Sequence, residues 1–427
     1  MNYRETLDWL FGLEARGIKF GLENITELMH MMGNPQESYR SIHVGGTNGK
    51  GSVCALTASS LMEAGYRVGM YTSPHIVDFG ERIQIDGVPL PEKEMLRLAE
   101  EVRDLSCTMA EESIEKRMTF FELTTAMAFT RFAEMEVDWA VIEVGMGGRL
   151  DATNILNPEC AVITRLAIEH TEYLGTDIDQ IAYEKAGILK RRVPSVTGAS
   201  NGMGLETIMN RAKELEAPLK VLNNDLKYRL IETSLEGTEM EILDGPRLFS
   251  KLAGGYQAAN MALAYMALNE LRLPELSDEL VVRGMRSAKW PGRLESIHHS
   301  PRVILDATHT GDGARVVAAE LSNMIEGDMI LVMGVLGDKD IGEMAKAFGS
   351  LCKRAIATSP RSKRSFSAEK VEEALRPYCP LVERVDDVGN ALQHALDISC
   401  PEDTILVTGS LYTIGEAKRW WDAQQGC

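Results

Sequence analysis

The fold is decided by the stretch His43-Val44-Gly45-Gly46-Thr47-Asn48-Gly49-Lys50-Gly51-Ser52. A short apolar run at 41–45 predicts a buried strand before the glycines, and the pattern at 51–64 predicts a helix after them. Glycines let backbone N–H groups approach phosphate oxygens, and the N-terminus of a helix adds a partial positive charge. The stretch therefore predicts a phosphate-binding loop, formed by Gly46, Thr47, Asn48, Gly49, Lys50, Gly51 and Ser52.

This loop departs from the general phosphate-loop pattern at two positions. Val44 stands where the first glycine is usual, and Gly51 stands where Ser or Thr directly follows the lysine. We expect Lys50 to neutralise the β and γ phosphates, and Ser52 to bind Mg²⁺ or a phosphate oxygen. The alternative is a glycine-rich turn between a strand and a helix that binds no ligand.

Strand-like and helical patterns alternate on both sides of the loop. Further strands are predicted at 67–71, 139–144, 161–165 and 194–197, with helices around 92–105, 120–135 and 177–190. This alternation is typical of a mainly parallel sheet flanked by helices. Residues 228–243 differ, because two strand-like runs around Glu236-Gly237 predict an antiparallel hairpin.

A second α/β series follows residue 300. Strands are predicted at 303–306, 329–334, 355–358 and 404–408, with helices at 312–324, 340–351, 367–376 and 388–398. Pro291 and Gly292 break the preceding helical pattern. The sequence thus predicts an α/β protein of two domains. Residues 1–292 are expected to form a P-loop ATPase-like domain, and residues 293–427 a smaller, C-terminal Rossmann-like domain.

Composition excludes several classes of protein. A formal net charge of −18 argues against broad nucleic-acid binding, which needs a basic surface. No apolar run approaches the ~20 residues that span a bilayer, and the N-terminus lacks the zones of a signal peptide. The seven cysteines are widely spaced without a CxxC pair, which favours reduced thiols. We expect a cytoplasmic monomer that binds neither membrane nor nucleic acid.

The form of the loop with Gly51 after Lys50 resembles the Mur ligase superfamily, in particular its folylpolyglutamate synthase and dihydrofolate synthase branch. Further segments resemble the motifs of that branch in the same order along the chain. They are Phe20-Gly21-Leu22-Glu23-Asn24-Ile25, Tyr71-Thr72-Ser73-Pro74-His75, Glu81-Arg82-Ile83, Thr119-Phe120-Phe121-Glu122-Leu123-Thr124, Glu143-Val144-Gly145-Met146-Gly147-Gly148-Arg149-Leu150-Asp151-Ala152-Thr153-Asn154, Glu184-Lys185-Ala186-Gly187-Ile188, Trp290-Pro291-Gly292-Arg293-Leu294-Glu295 and Thr408-Gly409-Ser410-Leu411-Tyr412.

The resemblance implies a metal site and four catalytic residues. Magnesium would be bound by Ser52, Ser73, Glu143 and His170, in two sites, and the catalytic residues would be Lys50, Glu143, His170 and Lys185. Glu143 also ends a predicted strand, at the sheet edge where such folds place ligands. The resemblance admits a carbamylated Lys185 and a bound monovalent cation. The alternatives are an exposed strand-end Glu143, a structural His170, and a Lys185 paired with Glu184 or Asp179.

Two further groups of residues follow from the resemblance. ATP would also be contacted by Gln257, Asn260, Arg293, Asp306 and His309, with Asp306 ending the first strand of the second domain. Gln257 and Asn260 share a helix face by their spacing, which also allows a purely structural role. The acceptor would be bound by Phe120, Glu122, Thr124, Arg149 and Asp151.

The implied activity is an ATP- and Mg²⁺-dependent ligase that adds L-glutamate to a folate-type carboxylate, either a reduced folate or dihydropteroate, through an acyl phosphate. The family usually has Asn-Pro where this chain has Thr310-Gly311, Asp where it has Glu169, and His where it has Tyr256. Two alternatives therefore remain: a Mur-type amide ligase for a different pterin or cofactor-precursor acid, and a non-catalytic, regulatory ATP-binding protein.

Overall fold

The computed structural model describes residues 2–13, 17, 19, 21–200 and 202–425. Phe20 of the N-terminal motif and Cys427 lie outside the described residues. The predicted two-part α/β fold is confirmed, because helices cover a mainly parallel sheet in the first part and a second α/β sheet follows it. None of the described helices is both long enough and apolar enough to cross a membrane.

The first sheet carries the phosphate loop. Its strands are β1 (Arg40–Gly45), β2 (Val68–Tyr71), β3 (Ile83–Ile85), β4 (Val88–Pro89), β5 (Trp139–Glu143), β6 (Cys160–Ile163), β7 (Ser195–Thr197) and β8 (Leu219–Val221). In the described part of the chain they lie in the order β4-β3-β2-β5-β1-β6-β7-β8. In this spatial order, the strands β2, β5, β1, β6, β7 and β8 are parallel. The strands β3 and β4 extend the sheet beyond β2 as antiparallel strands, which the sequence did not predict.

Helices cover both faces of this sheet. They are α1 (Tyr3–Gly12), α2 (Glu23–Met31), α3 (Lys50–Glu63), α4 (Glu92–Glu112), α5 (Phe120–Glu134), α6 (Thr171–Leu174), α7 (Ile178–Ala186), α8 (Met203–Glu214), α9 (Gln257–Glu270) and α10 (Asp278–Ser287). Val141 of β5 packs with α3, α9 and α10, whereas its neighbours Ala140 and Ile142 pack with α4 and α5. Successive strand residues point to opposite faces, so both faces are apolar and β5 lies in the core.

A small antiparallel sheet follows, as the sequence predicted around Glu236-Gly237. It comprises β9 (Tyr228–Ser234), β10 (Gly237–Ile242) and β11 (Arg247–Ser250), in the order β11-β10-β9 among the described residues. The predicted hairpin is confirmed by the antiparallel pairing of β9 with β10. The third strand, β11, is only 4 residues long and was not predicted.

The four strands and four helices predicted for the second part are confirmed in their order, and the structure adds two strands and a final helix that were not predicted, at 295–299, 381–384 and 411–425. Its strands are β12 (Glu295–His299), β13 (Arg302–Leu305), β14 (Met329–Met333), β15 (Arg354–Ala357), β16 (Leu381–Arg384) and β17 (Thr404–Thr408), and its helices are α11 (Gly311–Met324), α12 (Ile341–Gly349), α13 (Ala368–Leu375), α14 (Val388–Asp397) and α15 (Leu411–Gln425). Among the residues described, the strands lie in the order β12-β13-β17-β14-β15-β16, with β12 antiparallel to β13 and the other pairs parallel.

One prediction about this sheet was wrong. Asp306 follows β13, which is the second strand of the sheet in chain order and not the first, because β12 precedes it. Apart from Ile297 the residues of β12 are polar, and none of them is fully buried, so this strand lacks the apolar run by which β13, β14, β15 and β17 could be recognised. The domain boundary between 292 and 293 stays a prediction.

Candidate active site

The phosphate loop connects β1 to α3 through two glycines that no other residue could replace without strain. Gly46 has φ 126°, and a Cβ there would lie 2.0 Å from Thr164 Oγ1. Gly49 has φ 94°, and its Cβ would lie 2.3 Å from Asn260 Oδ1. Both positions need a residue without a side chain, for conformation and for space. The loop therefore ends with bare backbone at the N-terminus of α3, which is favourable for an anion.

The loop is held in place by the segment that follows β6. The backbone N–H groups of Thr47 and Asn48 both donate to the carbonyl oxygen of Arg165, over 3.0 and 3.4 Å. The hydroxyl of Thr47 donates to the carbonyl oxygen of Ala167 over 3.1 Å. These contacts tie the loop to the chain that leads to His170.

The unusual Gly51 has a tertiary cause. A Cβ at this position would lie 2.2 Å from Cζ2 of Trp290, whose indole ring lies against the first turn of α3. The Ser or Thr that commonly follows the lysine does not fit beside this ring. Ser52, one residue later in the same turn, is buried.

Lys50 contacts only its own loop. Its Nζ donates to the carbonyl oxygens of Gly46 and Thr47, over 3.1 and 3.0 Å, and forms no ion pair with the described residues within 4.0 Å. The positive charge of Lys50 acts on two of the four predicted metal ligands, since it favours a lower pKa of Glu143 and of His170. Lys50 is therefore close enough to both groups to influence their charge.

Glu143 ends β5 and is brought to Ser73 after β2. Glu143 Oε2 accepts the backbone N–H of Ser73 over 3.2 Å, and the side chain is 5% exposed. Burial raises the pKa of this carboxyl group, although the charges of Lys50 and Arg293 act in the opposite direction. The alternative of an exposed strand-end glutamate is wrong. A buried carboxylate in such a place favours a bound cation.

His170 begins the short helix α6 with a left-handed backbone, φ 48°. Partial burial and the positive charges of Lys185, Lys50 and Lys339 lower its pKa, so its ring is neutral at neutral pH and able to bind a metal. Within the described ranges, no group of three or more His, Cys, Asp or Glu side chains is placed to bind a metal ion by itself. The metal-binding roles of Ser52, Ser73, Glu143 and His170 stay predictions.

Lys185 lies beneath the loop, where it is almost fully buried. Its Nζ donates to the carbonyl oxygen of Gly46 and to Glu169 Oε1, each over 2.9 Å. Burial lowers the pKa of Lys185 to about 8. The alternative pairing of Lys185 with Glu184 or Asp179 is wrong, because Glu184 instead accepts from Arg149 over 2.8 Å.

The residues expected to contact ATP line both sides of the junction between the two large sheets. Asn260 Nδ2 donates to Gln257 Oε1 over 2.8 Å at the start of α9, and Gln257 Nε2 is a buried donor without a partner among the described residues. The charge of Arg293 lowers the pKa of Glu143 in the first part and of His309 in the second. Arg293 is therefore close to both parts.

The carboxylate of Asp306 joins the segment before β12 to the segment after β13. One carboxylate oxygen accepts the N–H of Leu294 and the other accepts the N–H of Thr308, each over 3.0 Å. His309 Nδ1 lies 3.0 Å from the carbonyl oxygen of Ala307. Thr310 caps α11 by accepting the N–H of Gly313 over 3.1 Å, so the segment that departs from the usual family sequence forms a regular helix start.

The residues expected to bind the acceptor have local partners. Glu122 accepts the N–H and the hydroxyl of Thr119 over 2.8 Å, in the capping box of α5. Thr124 is fully buried, with its Oγ1 2.9 Å from the hydroxyl of Tyr71.

The other three residues expected to bind the acceptor also contact neighbouring residues. Asp151 accepts the N–H of Met146 over 2.9 Å, Arg149 pairs with Glu184, and the ring of Phe120 stacks on Phe11 with centroids 5.7 Å apart. Their acceptor roles stay predictions.

A cavity of about 820 Å³ extends from this site between the two large sheets. Pro74, His75 and Arg82 contribute from the first part, and His309 and Ser410 contribute from the second. Of these residues, only His309 was predicted to have a role. The others nevertheless lie in motifs that the sequence shows: Pro74 and His75 after β2, Arg82 before β3, and Ser410 after β17.

Comparison with known families gives two matches that span both parts. Residues 44–268 match the Mur ligase middle domain, and residues 292–411 match the Mur ligase, glutamate ligase domain. The dihydrofolate synthase/folylpolyglutamate synthase of Bacillus subtilis is 32% identical, over 98% of this chain and 98% of that protein. A probable bifunctional folylpolyglutamate synthase/dihydropteroate synthase of Haloferax volcanii is 34% identical over 99% of this chain, which spans about half, 51%, of that longer protein.

Solved structures agree with these matches. The folylpolyglutamate synthase of Thermotoga maritima has a TM-score of 0.89 and 32% identity, over 99% of this chain and 97% of the other. An Escherichia coli relative in complex with DHPP and ADP has a TM-score of 0.85 and 30% identity, over 98% of each chain. A bifunctional folylpolyglutamate synthase/dihydrofolate synthase with Mn, AMPPNP and L-glutamate bound has a TM-score of 0.82 and 29% identity, over 98% of each chain. The fold, the ordered motifs and these likenesses agree: the chain belongs to the folylpolyglutamate synthase and dihydrofolate synthase family of Mur ligases, which are carbon–nitrogen ligases.

Proposed function

We propose that this chain is an ATP-dependent ligase that joins L-glutamate to the carboxylate of a pterin acceptor, either a reduced folate, dihydropteroate or both. The observation that carries the proposal is the position of Glu143. This buried carboxylate lies at the carboxyl-terminal end of β5. It accepts a hydrogen bond from the backbone N–H of Ser73, and the charges of Lys50 and Arg293 act on it. A large cavity is lined by Pro74, which follows Ser73 in the chain, and by residues of the second part of the protein.

The residues present fit ATP with a divalent cation. Gly46 and Gly49 hold the loop in a backbone conformation that favours glycine, next to the N-terminus of α3, where an anion is favourable. Gln257 Nε2 is a buried donor without a partner in the described chain. Mg²⁺ prefers carboxylate, hydroxyl and phosphate oxygens, and it would be held by Glu143, Ser52 and Ser73, with His170 as a nitrogen ligand. When bound, Mg²⁺ neutralises phosphate charge and polarises the γ-phosphoryl group. Relatives that bind ADP, or AMPPNP with Mn, support this choice of ligands.

The reaction has two steps. An oxygen of the acceptor carboxylate attacks the γ-phosphorus of ATP, the bond to the bridging oxygen breaks, and ADP leaves. The chain positions these groups, with Lys50 stabilising the charge that develops on the phosphate oxygens. The amine of glutamate then attacks the acyl carbon, phosphate leaves with the bonding electron pair, and the amine nitrogen loses a proton.

Lys185 holds the phosphate loop in position by hydrogen bonding. In the unmodified state its ammonium group joins the carbonyl oxygen of Gly46 to Glu169. A carbamylated Lys185 would carry a negative charge and would favour a nearby cation, and the lowered pKa supports this modification because CO₂ reacts with the neutral amine. A second Mg²⁺ and a monovalent cation belong to the same proposal.

A different acceptor acid is the second candidate. The observation that favours it is the sequence Thr310-Gly311, which replaces the usual Asn-Pro at the start of α11, beside His309 and the cavity. A purely regulatory ATP-binding protein is disfavoured, because binding of ATP alone does not require a buried Glu143 beside Ser73.

The test is an assay with purified protein, Mg·ATP and labelled glutamate. It compares dihydropteroate, tetrahydrofolate and a panel of other aromatic acids as acceptors, and it measures both ADP and the amide product. We expect acceptor-dependent release of ADP with an equal amount of amide. Turnover with another acid but with neither pterin would support the second candidate, and ATP binding without product from any acceptor would support the regulatory protein.

A further inference from the structure

The cavity between the two large sheets is positively charged in a strongly acidic protein. The chain has a formal net charge of −18, yet five Lys or Arg side chains and only three carboxylates line this cavity. Two of the cations, Arg364 and Arg419, form no ion pair with the described residues within 4.0 Å. A cavity with unpaired cations attracts an anionic ligand and raises its local concentration.

The backbone of both arginines is held by hydrogen bonds or by a helix. The carbonyl oxygen of Arg364 accepts the N–H of Gly337 over 2.6 Å, so the loop after β15 is attached to the loop after β14. Arg419 lies on α15, and its Nη2 donates to the carbonyl oxygen of Val77 over 3.3 Å, across the junction of the two parts. Both side chains are exposed and line the cavity, and Arg419 keeps further donors beside the one that Val77 accepts. Hydrogen bonds of this kind favour a defined position for a bound ligand.

The volume of the cavity exceeds what glutamate needs. Sites of about 300–1,000 Å³ enclose drug-sized ligands, and this cavity of about 820 Å³ lies in the upper part of that range. Arg82 relates the cavity to the surroundings of Glu143, since it lines the cavity and its charge also acts on that carboxyl group. The second part of the chain contributes Arg364 and Arg419 to the lining, together with Tyr412 and Trp420. A second anionic segment can therefore lie beside the incoming glutamate.

We propose that Arg364 and Arg419 bind the free carboxylates of an acceptor that already carries γ-linked glutamates. This inference rests on the proposed function and deepens it, because it assigns the outer cavity to the growing tail. Dihydropteroate has no such tail, so the two arginines would favour chain extension over the first addition of glutamate. Guanidinium groups suit this role because they bind carboxylates in a bidentate manner and keep their charge at any working pH.

The test compares acceptors of increasing tail length with the variants Arg364→Gln, Arg419→Gln and the double variant. Arg376→Gln is the matched control, since Arg376 is an exposed arginine of the same part of the chain that does not line the cavity. We expect the KM for a triglutamate acceptor to rise about tenfold in the double variant, which corresponds to about 1.4 kcal/mol. The KM values for dihydropteroate and for glutamate should stay within about twofold of wild type.

Three results would overturn the proposal. They are an equal rise of KM for acceptors with and without a tail, a rise confined to the KM for glutamate, and no change in any variant. The second result would instead assign the arginines to the incoming amino acid.

A binding measurement separates this inference from the proposed function. Calorimetry with a γ-linked triglutamate peptide needs no turnover, and we expect the double variant to bind it about tenfold more weakly than wild type, with the difference reduced at high salt. If no pterin is a substrate but this peptide binds through the two arginines, the tail site stands and the proposed function fails. Equal affinity in wild type and double variant removes the tail site, whatever the enzyme assay shows.

Discussion

The ammonium nitrogen of Lys185 lies 2.9 Å from the carbonyl oxygen of Gly46, and this hydrogen bond ties α7 to the phosphate loop across 139 residues of sequence. Glu169 completes the arrangement from the other side, also at 2.9 Å. The charge state of one buried lysine is thereby coupled to the backbone that is expected to hold ATP.

Replacement of Lys185 by methionine should reduce kcat by about 100-fold or more, because the loop loses a buried donor and the site loses a charged group. After incubation with ¹³C-bicarbonate, wild type should show a carbamate carbon by NMR that Lys185→Met lacks. An identical spectrum for the two proteins would remove carbamylation from the proposal.

The stability of the unmodified protein should depend on pH through the same lysine. The pKa of Lys185 is lowered from 10.5 to about 8, so the folded state releases its proton at lower pH than the unfolded state does. The cost of burying the charge is fully present below about pH 8 and is relieved as pH rises toward 10.5. Urea unfolding at a series of pH values, without bicarbonate, should show wild type gaining free energy of unfolding relative to Lys185→Met over this window. A constant difference would contradict the shift.

Replacement of Lys50 by alanine should lower kcat by about 100-fold or more with little effect on folding. The Nζ of Lys50 bonds only to carbonyl oxygens of its own loop, so the folded protein should lose at most about 1–2 kcal/mol. ADP release and thermal unfolding measure the two effects. Normal turnover would refute the role assigned to the phosphate loop.

Replacement of Glu143 by glutamine should separate stability from activity. Burial raises the pKa of this carboxyl group above 4.5, so its ionisation costs free energy that is absent at low pH and grows as pH rises through the folded pKa. Without metal at neutral pH, Glu143→Gln should be as stable as wild type or more stable by about 1 kcal/mol, because an uncharged amide still accepts the N–H of Ser73. Its activity should fall, and Mg²⁺ should stabilise wild type more than the variant in thermal unfolding. Equal stabilisation would argue against Glu143 as a metal ligand.

The substitution Gly51→Ser should lower the free energy of unfolding, although it makes the loop more like the general phosphate-loop pattern. The Cβ would lie 2.2 Å from the ring of Trp290, and overpacking of this kind costs about 1–3 kcal/mol. The loss should largely disappear when Gly51→Ser is combined with Trp290→Ala, compared with Trp290→Ala alone. A double-mutant cycle of free energies of unfolding measures this coupling, and additive losses would show that the ring is not the cause.

The fold could be predicted where the local pattern was strong. The buried strands around the loop and the helices of the second part are long apolar or amphipathic stretches, and their predicted positions agree with the structure to within a few residues. The strands β12 and β11 could not be recognised, because neither contains an apolar run: β12 has Ile297 as its one apolar residue, and β11 has Leu248 and Phe249 between Arg247 and Ser250. Pairing with neighbouring strands, not their own composition, makes them part of a sheet.

The sequence indicated which residues belong to the candidate site, but not which residues they contact. The sequence pointed to Glu143 as a strand end beside the loop, and the structure adds the N–H of Ser73 as its partner. For Lys185 the sequence offered Glu184 or Asp179, which are near in the chain, whereas the partner is Glu169. The arginines of the cavity were missed because Arg364 and Arg419 lie in no recognised motif.

The sequence by itself determined the glycine-rich loop, the alternation of strands and helices, and the family, because these depend on neighbouring residues and on motifs that recur in order. Only the tertiary structure decided why Gly51 has no side chain, which carboxylate neutralises Lys185, and which cations face the cavity. The physical reason is that burial and charge pairing depend on segments that are distant in the chain. Trp290 contacts Gly51, and Lys185 contacts Gly46, only in the folded chain, because these pairs are far apart in the sequence.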